Sequence, residues 1–197
     1  LCPYYNRPSQ AGIEAHIRAM AAATPLPQMV YDIPVRTGRK ILTSTLLRMF
    51  REVPNIVALK DAAGNPGETA VLIANAPEGL EVYSGDDGLT LPLMASGIVG
   101  TVGVATHWTA PDHQEMFGLW DKGDIAGARL VNARMLESFG FETGDDAPHV
   151  FVPVGHQQMM TEPRTPLGLS VWQLTAMRPM YTAAGRLFVD VAENLAS

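Results

Sequence analysis

The chain has 197 residues, of which 47% are hydrophobic, and a formal net charge of −6. That composition describes one globular core, and mild acidity without a Lys/Arg cluster argues against nucleic acid or an anionic membrane as partner. Cys2 is the single cysteine, which excludes a disulfide framework and a cysteine metal site, and no apolar stretch approaches the length of a membrane span. No signal peptide is recognisable, so the expected compartment is the cytoplasm. The opening Leu1-Cys2-Pro3 reads as the tail of a strand rather than a natural start.

In chain order, Pro8-Ser9 precedes an apolar face formed by Ile13, Ile17, Met20 and Ala21, which predicts a helix. Residues 28–33 follow as a strand stopped by Pro34. Thr43 or Ser44 is placed to cap a helix with Leu46, Leu47 and Phe50 inward. Ile56-Val57-Ala58-Leu59 is a four-residue apolar run, the mark of a strand buried on both faces, and it closes on Lys60. A helix over about 67–75 leads to a strand at 80–83. Residues 89–95 read as helix and 98–104 as a glycine-punctuated strand. Beyond 110 the pattern turns helical, with Ile125, Ala128, Arg129, Met135 and Leu136 on one long amphipathic segment. Residues 144–168 show no sustained period and read as irregular. Helix is expected again over 182–194.

Strand starts at 28, 56, 80 and 98 suit successive βα units and hence a parallel sheet, either doubly wound or a (β/α)8 barrel. Barrels carry their chemistry on the loops after the strands, and Tyr31, Lys60 and Ser84-Gly85-Asp86-Asp87 all stand at or just past strand ends. Only about four strands are visible, where a complete barrel takes about 250 residues. The reading is therefore α/β: the C-terminal half of a barrel over 1–110, then a helical region over 111–197.

A lysine at a buried strand end has a lowered pKa, and a neutral amine is what attacks a ketone to form a Schiff base. The alternative is that Lys60 snorkels to solvent. Alternation puts Ile56, Ala58 and Lys60 on one face and Met29, Tyr31 and Ile33 on another. If both faces line the barrel axis, Tyr31 meets Lys60, where a phenol could relay protons; otherwise Tyr31 is a half-buried strand aromatic. Arg36, in Pro34-Val35-Arg36-Thr37-Gly38, suits bidentate capture of a carboxylate or is a solvated loop arginine. Tyr4 and Tyr5 lie in a proline-bracketed loop, one expected to pack structurally. Gly97, Gly100 and Gly103 fit no dinucleotide fingerprint. Asp86-Asp87 lacks calcium-loop partners, and the five histidines show no metal spacing. No metal and no cofactor is expected.

The motifs Pro3-Tyr4-Tyr5-Asn6-Arg7-Pro8-Ser9-Gln10, Tyr31-Asp32-Ile33-Pro34-Val35-Arg36-Thr37-Gly38, Val57-Ala58-Leu59-Lys60-Asp61-Ala62 and Ser84-Gly85-Asp86-Asp87, in this order and spacing, resemble the dihydrodipicolinate synthase / N-acetylneuraminate lyase family. The likeness runs from residue 1 to about 147. It implies a (β/α)8 barrel, usually a homotetramer, that forms a Schiff base between a lysine and pyruvate. It also implies roles by position: Lys60 as the Schiff-base lysine, and Tyr31 as proton relay and pyruvate contact. Tyr5 would be the tyrosine passed across a dimer interface, Arg36 the clamp on the second substrate's carboxylate, and Val102 the strand-eight residue whose carbonyl lines the site. The Arg-Thr-Gly after Tyr31 is similar to the synthase branch, which condenses pyruvate with L-aspartate semialdehyde towards diaminopimelate and lysine. A 2-keto-3-deoxy sugar acid aldolase is the alternative within the family, and a non-catalytic half-barrel that associates with another chain the alternative outside it. The first three family strands have no counterpart here, and the segment after Pro148 departs from the family pattern. The polypeptide by itself is therefore expected to self-associate and to show little activity.

Overall fold

Four strand segments and the helices between them build the first of two units, Leu1–Thr101; the second is Val102–Ser197. The computed structural model describes residues 1–3, 5–140, 180–181 and 187–188. The first unit runs α1 (Gln10–Ala22), β1 (Gln28–Asp32), α2 (Pro34–Thr37), α3 (Thr43–Glu52), β2 (Ile56–Asp61), α4 (Pro66–Asn75), β3 (Glu81–Ser84), α5 (Thr90–Met94) and β4 (Gly100–Thr101), with a 3-10 turn at Asp87–Leu89. All four strands are parallel and their spatial order is their chain order. A helix between each consecutive pair makes this the repeating unit of a (β/α)8 barrel, of which the chain holds a part.

Local chemistry accounts for most of the boundaries. The Ser9 side chain accepts from the Gly12 N–H at 3.2 Å and starts α1. Ile13, Ile17 and Ala21 are buried, whereas Met20, in the last turn, is exposed. Thr43 does not cap α3. That place falls to Leu42, whose N–H is taken by the Gln10 side-chain oxygen at 3.0 Å, and Thr43 enters the helix. Asn65 caps α4 and Pro66 sits in its first turn, where a missing N–H costs nothing. Glu14 of α1 gathers Arg48 of α3 and its own helix neighbour Arg18 at 2.5 and 2.8 Å. Those guanidiniums, Arg48 foremost, hold its carboxyl down at about 2.

Register sorts the strand residues into two faces. Val30, Leu59 and Val82 align across the sheet, as do Asp32, Asp61 and Ser84; all six are buried. This is the face under the helices, because the Asp61 carboxylate accepts from Thr69 of α4 at 2.6 Å. The opposite face carries Met29, Ala58 and Glu81 in one row and Tyr31, Lys60 and Tyr83 in the next. Strand β4 is shorter than the seven residues expected. Only Gly100 and Thr101 pair with β3, and beyond them no described strand offers hydrogen bonds.

In the second unit α6 (Thr106–Asp121) and α7 (Ile125–Gly140) are followed by a short antiparallel pair, β5 (Met180–Tyr181) and β6 (Leu187–Phe188). The inner face of α7 is Ala128, Val131 and Met135, while Ile125, Arg129 and Leu136 are exposed. Ala128 and Met135 of the predicted stripe are thus buried, Val131 joins them, and Ile125, Arg129 and Leu136 do not face the core. The helix expected over 182–194 gives way at Leu187–Phe188 to strand, in keeping with the aromatic and β-branched character of Leu187-Phe188-Val189. The remainder of that helix, and the irregular segment at 144–168, lie outside the described residues.

Candidate active site

Strand β2 delivers Lys60 between two tyrosine-bearing strands. Register partners in a parallel sheet point to the same face, and the partners of Lys60 are Tyr31 on β1 and Tyr83 on β3. The Lys60 Nζ lies 4.2 Å from the centroid of the Tyr31 ring. Ala58, buried and two residues earlier on the same face, leaves the space beneath the lysine unfilled by a large side chain. Tyr83 is also buried, and its hydroxyl donates to Glu81 at 2.6 Å.

This setting alters the chemistry of both groups. Burial pushes the Lys60 amine below the ordinary lysine value, and the charge of Asp87 opposes it only in part. Burial likewise pushes the Tyr31 phenol up, while the nearby Arg36 charge pulls it down. An amine that loses its proton more readily, beside a phenol that keeps its own, is a nucleophile paired with a proton donor.

Lys40 makes the contrast. Its burial works to lower its pKa, but Asp32 at 3.0 Å and Glu68 at 3.3 Å raise it above the ordinary value. Lys40 is therefore held as an ammonium, whereas burial shifts Lys60 the other way.

Arg36 stands on α2, a single turn opened by Pro34 and closed by Gly38 at φ 68°. It is exposed, yet close enough for Tyr31 to feel its charge. Tyr5 projects from its loop and is 93% exposed. Tyr4 lies outside the described residues. Val102 is half-buried and is the first residue of the second unit, just past β4. Within the first unit, then, Lys60, Tyr31 and Arg36 are brought together.

Sequence reasoning passed over Gly85 as a site residue. A Cβ at that position would meet the Cε of Lys60 and the Cβ of Ala62 at 2.9 Å, and the Cγ of Lys60 at 3.0 Å. The absent side chain is what admits the lysine arm along this path. Gly85→Ala is expected to cost about 1–3 kcal/mol of stability through overpacking and to slow covalent capture at Lys60 far more than Gly88→Ala does. Gly88 faces only the Asp86 side chain, at an ordinary 3.4 Å. Equal capture rates for the two variants would show that the lysine finds another path. The neighbouring acids also have structural tasks. Asp86 caps the 3-10 turn through the Leu89 N–H at 3.2 Å. Among the described residues no group of three or more His, Cys, Asp or Glu is placed to hold a metal ion, and no helix is long and apolar enough to cross a membrane.

Residues 1–141 match the profile of the dihydrodipicolinate synthetase family. The chain belongs to that family. The match ends close to where the motif resemblance fades. Among curated proteins, this synthetase-family chain is 42% identical over 134 residues to 4-hydroxy-tetrahydrodipicolinate synthase of Bacillus subtilis (strain 168), covering 68% of the chain and 46% of the relative. It is 41% identical over 168 residues to the protein of the same name from Thermosynechococcus vestitus, covering 84% of the chain and 56% of the relative. The chain thus spans about half the length of the curated relatives it matches. In solved structures, DHDPS from Cyanidioschyzon merolae with lysine bound superposes with a TM-score of 0.72 at 36% identity, covering 86% of the chain and 59% of that one. The 4-hydroxy-tetrahydrodipicolinate synthase of Methylacidiphilum fumariolicum SolV gives 0.72 at 33%, covering 88% and 60%.

Proposed function

We propose that the chain carries the Schiff-base half of a 4-hydroxy-tetrahydrodipicolinate synthase, an enzyme condensing pyruvate with L-aspartate semialdehyde. The observation that supports this best is the half-buried Lys60 amine, its pKa lowered by burial, 4.2 Å from the Tyr31 ring, with Arg36 on the turn after Tyr31. The names of the relatives point the same way.

In this reading the neutral Lys60 amine attacks the ketone carbon of pyruvate. The resulting carbinolamine loses water as Tyr31 gives its phenolic proton to the departing hydroxyl, leaving an iminium. The Tyr31 phenolate takes a proton from the methyl group, giving an enamine; its carbon attacks the aldehyde and the phenol protonates the new alkoxide. Addition of water to the product imine then releases Lys60. Tyr5, projecting from one protomer, would extend the proton relay of a neighbour in a homo-oligomer built as a dimer of dimers. The Val102 carbonyl would line the site. Arg36 would hold the carboxylate of the semialdehyde by paired, charge-assisted hydrogen bonds. An aldolase acting on 2-keto-3-deoxy sugar acids is disfavoured by that guanidinium, which calls for a carboxylate on the aldehyde.

The test uses this chain fused behind the N-terminal barrel strands of the Bacillus subtilis relative. Turnover of pyruvate with L-aspartate semialdehyde is expected. Arg36→Ala should weaken kcat/KM for the semialdehyde by about 2–4 kcal/mol of transition-state binding and leave pyruvate capture nearly intact. An unchanged kcat/KM would remove the reason for choosing the synthase over the aldolase.

A further inference from the structure

Among the described residues Arg36 has no ion-pair partner to orient it, and its turn is only four residues long. What holds that turn lies on the opposite side of the sheet from Lys60. Asp32, the residue after Tyr31, is 1% exposed and points under the helices. Its carboxylate takes the Lys40 ammonium at 3.0 Å and the Ile41 N–H at 3.2 Å. The residue that precedes the turn is thereby tied to the two residues that follow it.

Two further side chains brace the same span. The Thr37 hydroxyl bridges the carbonyls of Ile33, at 3.1 Å, and Arg39, at 2.8 Å. Gln10 donates to the Lys40 carbonyl at 2.8 Å and accepts from the Leu42 N–H at 3.0 Å. The Asp32–Lys40 pair is the only contact among these that joins strand β1 directly to the far end of the turn by charge. Asp32 is the buried partner of this pair and Lys40 is 26% exposed; the pair constrains geometry because a buried carboxylate does not tolerate losing its cation.

We propose that Asp32 and Lys40 are positioning residues: they staple the loop over residues 33–41 shut and so fix where Arg36 presents its guanidinium to the carboxylate of the second substrate. This inference rests on the function proposed above, and it adds that specificity for the carboxylate depends on an ion pair behind the sheet.

The test again uses the fusion with the Bacillus subtilis strands. In Lys40→Gln, borohydride capture of pyruvate on Lys60 should proceed within about two-fold of the parent rate. KM for the semialdehyde should rise on the order of ten-fold, with kcat changed much less. Lys40→Arg, which restores the cation, should recover most of the loss. Backbone amides over 35–40 should exchange faster in Lys40→Gln and return to the parent rate in Lys40→Arg. If Lys40→Gln fails to fold, Asp32→Asn replaces it, since the amide oxygen still accepts from Ile41 while the charge is gone. Normal pyruvate capture with an unchanged KM for the semialdehyde overturns the staple and leaves the function standing. Absence of pyruvate capture in the parent overturns the function, and the exchange rates then decide the staple alone, unchanged rates in the variant sinking it.

Discussion

Lys60→Met is expected to abolish borohydride trapping of pyruvate and to lower turnover by roughly 10⁴-fold or more, the scale on which loss of a covalent nucleophile is felt. The same substitution should leave the fold at least as stable. In the unfolded chain the lysine is protonated at neutral pH with an ordinary pKa, whereas burial lowers that pKa in the folded state. Folding therefore works against the ammonium in full below the folded value, and that cost fades as pH rises from the folded towards the higher unfolded value. Methionine keeps the apolar stem against Gly85 and the Tyr31 ring without bringing a charge. Peptide mapping of the trapped adduct and a thermal melt check both halves. An adduct on Lys40 or Lys122, or a large fall in Tm, would sink the assignment.

Lys40→Met should behave in the opposite manner. Among the described residues it leaves the buried Asp32 carboxylate only the Ile41 N–H as a donor. Lys40 is 26% exposed, so the loss is that of stranding a buried acceptor, about 1–3 kcal/mol, and denaturant unfolding of the Bacillus subtilis fusion should show a loss of that order. Adding Asp32→Asn should return much of it, because the stranded charge is then gone. A double variant no more stable than Lys40→Met would place the cost in lost packing of the lysine stem rather than in the orphaned carboxylate. Of two lysines near the same strand ends, one should thus be dispensable for stability and necessary for chemistry, and the other necessary for stability.

The parts of the site legible in the sequence were those written in local pattern. The run 56–59 announced a strand by four apolar residues in a row, and β2 forms there, although Val57 is 39% exposed and the expected cover on both faces is incomplete. Alternation then put Tyr31 and Lys60 on one face, and the register agrees. The short turn α2 was not foreseen as helix, since four residues carry no period; Pro34 at its start and Gly38 in the left-handed region define it instead. The Asp32–Lys40 pair was invisible for a different reason. Its partners are eight residues apart with a turn between, and only the closed loop brings them within 3.0 Å. Gly85 was noticed in its motif, but its role depends on the path of a side chain from another strand. Thr43 suggested a cap by residue type, but Leu42 takes that place, its N–H donating to the Gln10 side chain, and Thr43 enters the helix.

The closure of the 34–38 turn has a bearing on how such a site can diversify. Gly38 has φ 68°, and a Cβ there would meet the Arg7 Nε at 2.8 Å; Arg39 in turn donates to the Arg7 carbonyl at 3.1 Å. Inserting, deleting or enlarging a residue in this turn would disturb the neighbouring loop that carries Tyr5. Only Val35, 81% exposed, and Arg36 project away from these constraints. A library confined to positions 35 and 36 would therefore sample new aldehyde partners on an unchanged backbone. The turn acts as a fixed socket with two exchangeable side chains, so a new preference can arise by substitution without any change in loop length.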